Sequence, residues 1–189
     1  VFGDWSSDVC SSDLAFIELS DPDQTVAEMA PEMEHLFVIR SLTKSFGVPG
    51  IRLGFGVAGD RLADVMNKTR LPWSISSLAS AAGAYLLAQD DHLAKSRQVI
   101  KEELRWLTAE LVRLGLDPVD SSVNFILVGL EPAGIRSSEL VERMERERVL
   151  VRDCRSFGLG EDYVRVAVRN RMENARLVAA LEKVLGWRG

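Results

Sequence analysis

Two strand segments with different hydrophobic patterns constrain the fold of this chain most strongly. Residues 36–40 form a short, nearly continuous apolar run, which is typical of a buried strand in a parallel sheet. Residues 163–169 alternate instead, with Val164, Val166 and Val168 on one face and polar or small residues on the other. The sequence therefore predicts an α/β fold in the first part of the chain and an α+β fold in the second.

The remaining periodicities predict helices between and after these strands. Apolar residues recur at helical spacing from Leu93 to Leu114, and Gly115 then ends the stripe. Asn170 and Glu173 form a pattern like a capping box at the start of a last helix. Further elements are expected as helices at 25–35, 60–68, 75–88 and 139–148, an extended segment at 15–20 and a loop at 41–50.

The predicted domain boundary lies at the start of the long helix. Residues 1–14 contain Ser-Ser-Asp twice and follow neither a helical nor a strand period, so we expect a non-native or disordered segment. Native sequence is then expected to begin near Ala15, with its upstream part missing. Residues 15–91 are predicted to form the α/β domain and residues 92–189 the small α+β domain.

The composition is that of an ordinary globular protein and excludes several classes. Of the 189 residues, 47% are hydrophobic and 27% charged. A net charge of -5 gives no basic surface for nucleic acid, and no apolar run approaches the roughly 20 residues of a membrane span. Two Cys and two His are too few to suggest a disulfide framework or a metal site. We therefore expect a cytoplasmic protein without metal.

Two short motifs within residues 41–59 match known sites but lack their partners. Gly54, Gly56 and Gly59 satisfy G-x-G-x-x-G, yet the acidic residue that a dinucleotide site needs about 20 residues later is absent. Ser41 and Lys44 satisfy S-x-x-K, yet the S-D-N and K-T-G partners of an acyl-enzyme site are absent. Neither site is predicted, and the glycines are expected to relieve crowding in a strand and turn.

A third pattern uses every special residue of this stretch. Residues 41–54 read S-x-T-K followed by P-G-x-R-x-G, which resembles the lysine motif of fold-type-I pyridoxal-phosphate enzymes. A lysine on a loop after a buried strand suits a Schiff base, and hydroxyls with an arginine suit a phosphate. The resemblance implies pyridoxal 5'-phosphate as cofactor, Lys44 as the Schiff-base lysine, Ser41 and Arg52 as phosphate ligands, and Thr43 as a supporting hydroxyl.

An element before this motif is similar to another part of the same family. Residues 13–17 resemble D-E-A-[FY]-[IL], whose aspartate pairs with the pyridine nitrogen of the cofactor. Leu14 stands where glutamate is usual, and Phe16 stands where aminotransferases often have a tyrosine. The resemblance implies Asp13 as a cofactor ligand, while a chance match at the end of the segment 1–14 stays open.

Three downstream segments narrow the resemblance to one branch of the family. Residues 72–76, 149–160 and 163–169 resemble the threonine-phosphate decarboxylases, close relatives of histidinol-phosphate aminotransferases. The branch implies Arg165 as the substrate-carboxylate ligand and Arg152 as a second anion ligand. A surface ion pair is the alternative for either arginine. Asn124, in another recurrent element, is expected to be a structural cap.

The resemblance implies decarboxylation of O-phospho-L-threonine to aminopropanol phosphate, in cobalamin biosynthesis. Residues 15–91 would be the C-terminal part of a pyridoxal-phosphate-binding large domain, so that this fragment alone is expected to be inactive. A histidinol-phosphate-type aminotransferase and a non-catalytic fragment or binding module remain alternatives. The expected partners are a small phosphorylated amino acid or amine and, for the full-length enzyme, a second copy in a homodimer, without nucleic acid or membrane.

Overall fold

The computed structural model describes residues 10–13, 15–20, 23 and 25–186. The chain divides into two compact units, unit 1 (Val1–Ser96) and unit 2 (Arg97–Gly189). The helix α4 (Asp90–Arg113) contains the point of division. The boundary expected from the sequence, between residues 91 and 92, lies in the same helix.

Unit 1 contains a three-stranded sheet of β1 (Cys10–Asp13), β2 (Leu36–Ser41) and β3 (Gly54–Val57), with β2 in the centre. β2 is parallel to β1 and antiparallel to β3. The predicted strand and its parallel pairing are therefore confirmed. Its burial is one-sided, however, because Leu36 and Val38 are buried and Ile39 is 40% exposed.

Three helices accompany this sheet: α1 (Leu42–Ser45), α2 (Asp60–Thr69) and α3 (Ser77–Leu86). α1 is a single turn that follows β2 directly, so the segment predicted as a loop begins helically. The hydroxyl of Ser76 accepts a hydrogen bond from the amide of Ala79 and thereby caps α3.

Two local predictions for unit 1 are wrong. Residues 25–35, expected to be a helix, form successive turns in which amides bond to carbonyls three residues back. Pro31 lies inside this segment, where it offers no amide and disfavours helical geometry in the residue before it. Residues 15–20, expected to be extended, contain a 3-10 turn over Ile17–Leu19.

The glycines of β3 allow close approach to β2. A Cβ atom at Gly54 would lie 2.6 Å from the carbonyl oxygen of Arg40. A Cβ atom at Gly56 would lie 2.4 Å from the ring of Phe37. Both distances are far shorter than a van der Waals contact, so the glycine-rich stretch serves strand packing, as expected.

Unit 2 contains a four-stranded antiparallel sheet in the order β4-β5-β7-β6. The strands are β4 (Asp117–Pro118), β5 (Phe125–Gly129), β6 (Arg152–Asp153) and β7 (Tyr163–Ala167). The helices α5 (Ser137–Arg146) and α6 (Arg171–Leu185) belong to this unit, together with most of α4.

The core of unit 2 lies between the sheet and the helices. Val164, Val166 and Val168 are only 1%, 2% and 7% exposed, which confirms the alternation read from the sequence. The buried leucines of α4 and α6 pack into the same core. Oδ1 of Asn170 accepts the amide of Glu173 at 3.0 Å, which confirms Asn170 as the N-cap, and Nδ2 of Asn170 donates to the Glu173 carboxylate at 2.6 Å.

No helix within the described ranges combines the length and the apolar character that crossing a bilayer requires.

Candidate active site

The lysine motif lies at the carboxyl end of β2. Ser41 is the last residue of the strand, and its Oγ lies 2.9 Å from Oγ1 of Thr43 in the following helical turn. Thr43 is buried, whereas Lys44 is exposed and its Nζ lies 5.6 Å from the centroid of the Phe16 ring. Within the part of the chain that the structure describes, Nζ has no hydrogen-bond or ion-pair partner. The structure thus places two hydroxyls and an unpaired amine on one turn.

A buried ion pair holds this turn at both ends. Nε of Arg40, the residue before Ser41, donates to the Glu18 carboxylate at 2.7 Å. The hydroxyl of Ser45, the residue after Lys44, donates to the other carboxylate oxygen at 3.1 Å. Both charged side chains are largely buried, so the single carboxylate of Glu18 fixes the backbone on either side of the lysine.

The Glu18–Arg40 pair was missed in the sequence analysis. The two residues are separated by a stretch of turns, and no periodicity links them. A signal was nevertheless present, because Glu18 lies between the apolar residues Ile17 and Leu19, and Arg40 ends an apolar strand. Charged residues at such positions are rarely buried without a partner.

Arg52 lies on the same connection between β2 and β3. It follows a 3-10 turn over Pro49–Ile51 and has a left-handed backbone with φ 53°. A residue other than glycine is uncommon in this conformation. Its exposed guanidinium has no hydrogen-bond or ion-pair partner among the described residues. Because Ser41 and Gly54 are register partners, Lys44 and Arg52 lie on one connection between paired strand ends.

Asp13 is the last residue of β1, where it pairs with Ile39 of β2. The strands are parallel, so Asp13 lies at the sheet edge from which the lysine turn starts. The side chain of Asp13 lies outside the described residues, and its role as a cofactor ligand stays a prediction.

The two predicted anion-binding arginines lie side by side in unit 2. Arg152 of β6 and Arg165 of β7 are register partners. The guanidinium carbon of Arg165 lies 4.8 Å from the ring centroid of Phe125 and 5.6 Å from that of Phe157. The guanidinium of Arg152 lies 5.3 Å from the same Phe157 ring and donates to the hydroxyl of Ser156 at 3.0 Å.

Neither arginine forms an ion pair with any described residue. The adjacent carboxylate, Asp153, instead accepts the amide of Arg155 at 2.9 Å and its Nε at 2.7 Å. These bonds, led by the amide, hold the pKa of Asp153 below its ordinary value. Among the described residues neither guanidinium forms the surface ion pair that is the alternative, and the role of both arginines as anion ligands stays a prediction.

Two nearby residues of unit 2 have no catalytic feature of their own. Cys154 is buried, and burial raises the pKa of its thiol although the charges of Arg165 and Arg152 act in the opposite direction. Asn124, expected to be a cap, has a buried Oδ1 that accepts no hydrogen bond from the described residues. The capping prediction for Asn124 is therefore wrong.

No metal-binding group of three or more His, Cys, Asp or Glu occurs in the described ranges.

A family model described as aminotransferase class I and II matches residues 8–183 of the chain. The match covers most of both units and includes residues 8–14. These residues belong to the segment that is expected to be non-native, and that expectation stays a prediction.

Two curated proteins are similar to this chain in sequence. It is 38% identical over 151 residues to Histidinol-phosphate aminotransferase 1 of Nitrosococcus oceani. That alignment covers 80% of this chain and 40% of the relative. The chain is 32% identical over 173 residues to a protein of Caldanaerobacter subterraneus named as a threonine-phosphate decarboxylase, which covers 89% and 47%. The chain therefore spans less than half the length of either relative.

A solved structure shows the same fold. The histidinol-phosphate aminotransferase of Clostridium acetobutylicum aligns with a TM-score of 0.88 at 29% identity. The alignment covers 94% of this chain and 54% of that one. The α/β and α+β organisation expected from the sequence is thus that of a known enzyme fold.

Proposed function

Because the chain belongs to the class I and II aminotransferases, we propose that it forms part of an enzyme that transfers the amino group of a phosphorylated amine such as histidinol phosphate. The cofactor of this family is pyridoxal phosphate. The sequence motifs alone favour decarboxylation, but the similarity to histidinol-phosphate aminotransferases favours the aminotransferase alternative. Since the chain spans under half of these relatives, the activity is proposed for the whole protein.

The exposed amine of Lys44, which has no hydrogen-bond or ion-pair partner among the described residues and lies beside the Ser41–Thr43 hydroxyl pair, is the observation that carries this proposal. In the proposal the amine attaches the cofactor, Ser41 and Arg52 bind its phosphate, and the Thr43 hydroxyl supports that of Ser41. The residues fit because the Ser41 hydroxyl, the Lys44 amine and the Arg52 guanidinium can all donate to an anion. When bound, the cofactor stabilises negative charge that develops on the substrate carbon.

The two arginines of unit 2 are proposed to bind the acidic group of the substrate. A guanidinium offers several donors in a plane, which suits a phosphate or a carboxylate. Arg152 and Arg165 lack a protein counter-ion among the described residues, so a bound anion would supply the missing charge.

Decarboxylation of a phosphorylated amino acid is a second candidate. The sequence of residues 152–157, R-D-C-x-S-F, favours it, as does the similarity to the Caldanaerobacter protein. A phosphorylated amino acid carries a carboxylate and a phosphate, so two arginines would each have an anion to bind. We propose in either case a homodimer that works in the cytoplasm, as the resemblance implies.

The cofactor role is tested on the 189-residue chain itself. The chain is incubated with pyridoxal phosphate and reduced with borohydride, and the modified lysine is located by mass spectrometry. We expect the label on Lys44 and its loss in Lys44→Ala. Lys68→Ala is the matched control, because Lys68 is exposed and pairs only with Asp64 of its own helix among the described residues. Equal labelling of the two variants would rule out Lys44.

The reaction is tested on a version extended upstream to the length of its relatives. Amino transfer from histidinol phosphate to 2-oxoglutarate is measured beside carbon dioxide release from O-phospho-L-threonine. Transfer without release supports the aminotransferase, and release without transfer supports the decarboxylase. The absence of both, in a protein that still labels at Lys44, would leave the non-catalytic alternative.

A further inference from the structure

Two arginines with like charges, Arg152 and Arg165, occupy paired positions of the unit 2 sheet. Arg152 and Arg165 are directly opposite on neighbouring antiparallel strands, where like charges destabilise a sheet. Neither guanidinium has a carboxylate partner among the residues described, because Asp153 is occupied by Arg155. Something other than an ion pair must therefore hold the two side chains in place.

One aromatic ring contacts both guanidiniums. The centroid of Phe157 lies 5.3 Å from the guanidinium carbon of Arg152 and 5.6 Å from that of Arg165. Both distances are within the range over which the negative face of a ring attracts a cation. Phe125 adds a third contact, since its centroid lies 4.8 Å from Arg165.

The backbone presents Phe157 to the arginines in a defined turn. Its amide donates to the carbonyl of Cys154 at 2.9 Å, and the 3-10 turn over Arg155–Phe157 ends at Gly158 with φ 79°. The side chain of Asp153 accepts the amide of Arg155 and so fixes the start of the turn. Phe157 is nevertheless 54% exposed, which is more than packing into a core would leave.

We propose that Phe157 is a positioning residue that holds Arg152 and Arg165 against one ring so that both can bind the same anionic substrate. A guanidinium that rests its face against a ring keeps the N–H donors at its edge for a ligand. The ring thus restrains two flexible, like-charged side chains without consuming their donors. This inference rests on the proposed anion-binding role of the arginines and extends it to a residue that touches no anion itself.

The contact between ring and guanidinium is observed directly by NMR of the 189-residue chain. Arginine side-chain signals near an aromatic face are displaced by the ring current. We expect displaced signals for both arginines in wild type and in Phe157→Tyr. In Phe157→Leu the Arg152 signal should move to its ordinary position, and the Arg165 signal should move only part of the way because the Phe125 ring remains. Leu150→Ala, which removes an exposed apolar side chain of the same unit, is the control and should change neither signal.

Binding of inorganic phosphate then measures the consequence for the anion. We expect phosphate affinity to fall about fivefold or more in Phe157→Leu and to be kept in Phe157→Tyr, because tyrosine also offers a ring face. A structural role alone would not distinguish tyrosine from leucine in a variant that keeps its far-ultraviolet circular dichroism. Unchanged affinity in Phe157→Leu would overturn the proposal.

Arg165→Met separates this inference from the proposed function. If Arg165→Met loses phosphate binding but Phe157→Leu does not, the arginine role stands and the positioning role of Phe157 is refuted. If phosphate binds equally well in wild type and Arg165→Met, the anion-binding role is refuted, and the positioning role that rests on it falls as well. Labelling of Lys44 is independent of both results.

Discussion

Replacing Glu103 should weaken unit 2 by a measurable amount. Glu103 is a buried residue of α4 that accepts both Arg171 Nε, at 3.1 Å, and Asn174 Nδ2, at 2.8 Å. Both donors lie on α6, so one carboxylate joins the two helices. The guanidinium carbon of Arg171 also lies 4.6 Å from the ring centroid of Trp106, and this contact helps to hold the guanidinium beside Glu103.

The expected loss follows from these contacts. A hydrogen bond to a charged group is worth about 1.5–3 kcal/mol. The contribution of Arg171 is discounted because its side chain is 55% exposed, and Asn174 keeps a second acceptor in the carbonyl of Arg169. We therefore expect Glu103→Ala to lower the free energy of unfolding by about 2 kcal/mol, and Glu103→Gln by about 1 kcal/mol.

The effect of Glu103 should depend on pH with a defined sign. Burial raises the pKa of the Glu103 carboxyl, but hydrogen bonds from Arg171 and Asn174 and the charge of Arg171 outweigh burial and lower it overall. A lowered pKa means that the stabilisation is complete above the ordinary carboxyl pKa of about 4.3 and is lost as the pH falls through the folded value. The difference between wild type and Glu103→Gln should therefore shrink below about pH 4.

Urea unfolding between pH 3 and pH 8 measures this difference. Glu102→Gln is the control, because Glu102 is an exposed neighbour that, among the described residues, accepts only from Gln98 of its own helix. It should change stability by less than about 0.5 kcal/mol. Equal stability of Glu103→Gln and wild type at neutral pH, with no pH-dependent difference, would refute the reasoning.

Three further changes are predicted. Glu18→Gln leaves the buried Arg40 without its counter-ion and should destabilise unit 1 by about 3 kcal/mol, measured by urea unfolding, and slow labelling of Lys44 by pyridoxal phosphate. Leu107→Ala empties a fully buried position in the core of unit 2 and should lower the free energy of unfolding by about 3 kcal/mol in the same assay. Gly56→Ala forces a methyl group into the Phe37 ring and should lower the melting temperature, at a cost of about 1–3 kcal/mol. No change in any of these variants would contradict its stated contact.

The fold was predictable where one local rule decides the structure. The alternation in residues 163–169 predicted β7 and its buried face correctly, because only one face of this strand packs into the core. The capping pattern of Asn170 and Glu173 gave the start of α6 for the same local reason. Residues 25–35 failed because their polar periodicity is weak and Pro31 interrupts it, so turns replaced the expected helix.

Within the candidate site, only residues that lie close together in the sequence could be predicted. The resemblance of residues 41–54 to a family motif predicted Lys44 and Arg52 as site residues, and the structure places both on the connection between β2 and β3. Contacts between residues that are far apart in the sequence could not be predicted in this way. The Glu18–Arg40 pair depends on tertiary folding, and the shared Phe157 ring depends on the register of β6 with β7.

In the Lys44 turn, the residues that shape the backbone differ from the residue that is proposed to carry the chemistry. Glu18, Arg40 and Ser45 make the hydrogen bonds that shape the turn, whereas the amine of Lys44 makes none within the described residues. In a library of random variants, substitutions at position 18 or 40 should therefore reduce the yield of folded protein. Those at position 44 should give a chain of normal yield and, under the proposed role of Lys44, no labelling by pyridoxal phosphate. A screen for abundance would then miss position 44, which a screen for labelling would find.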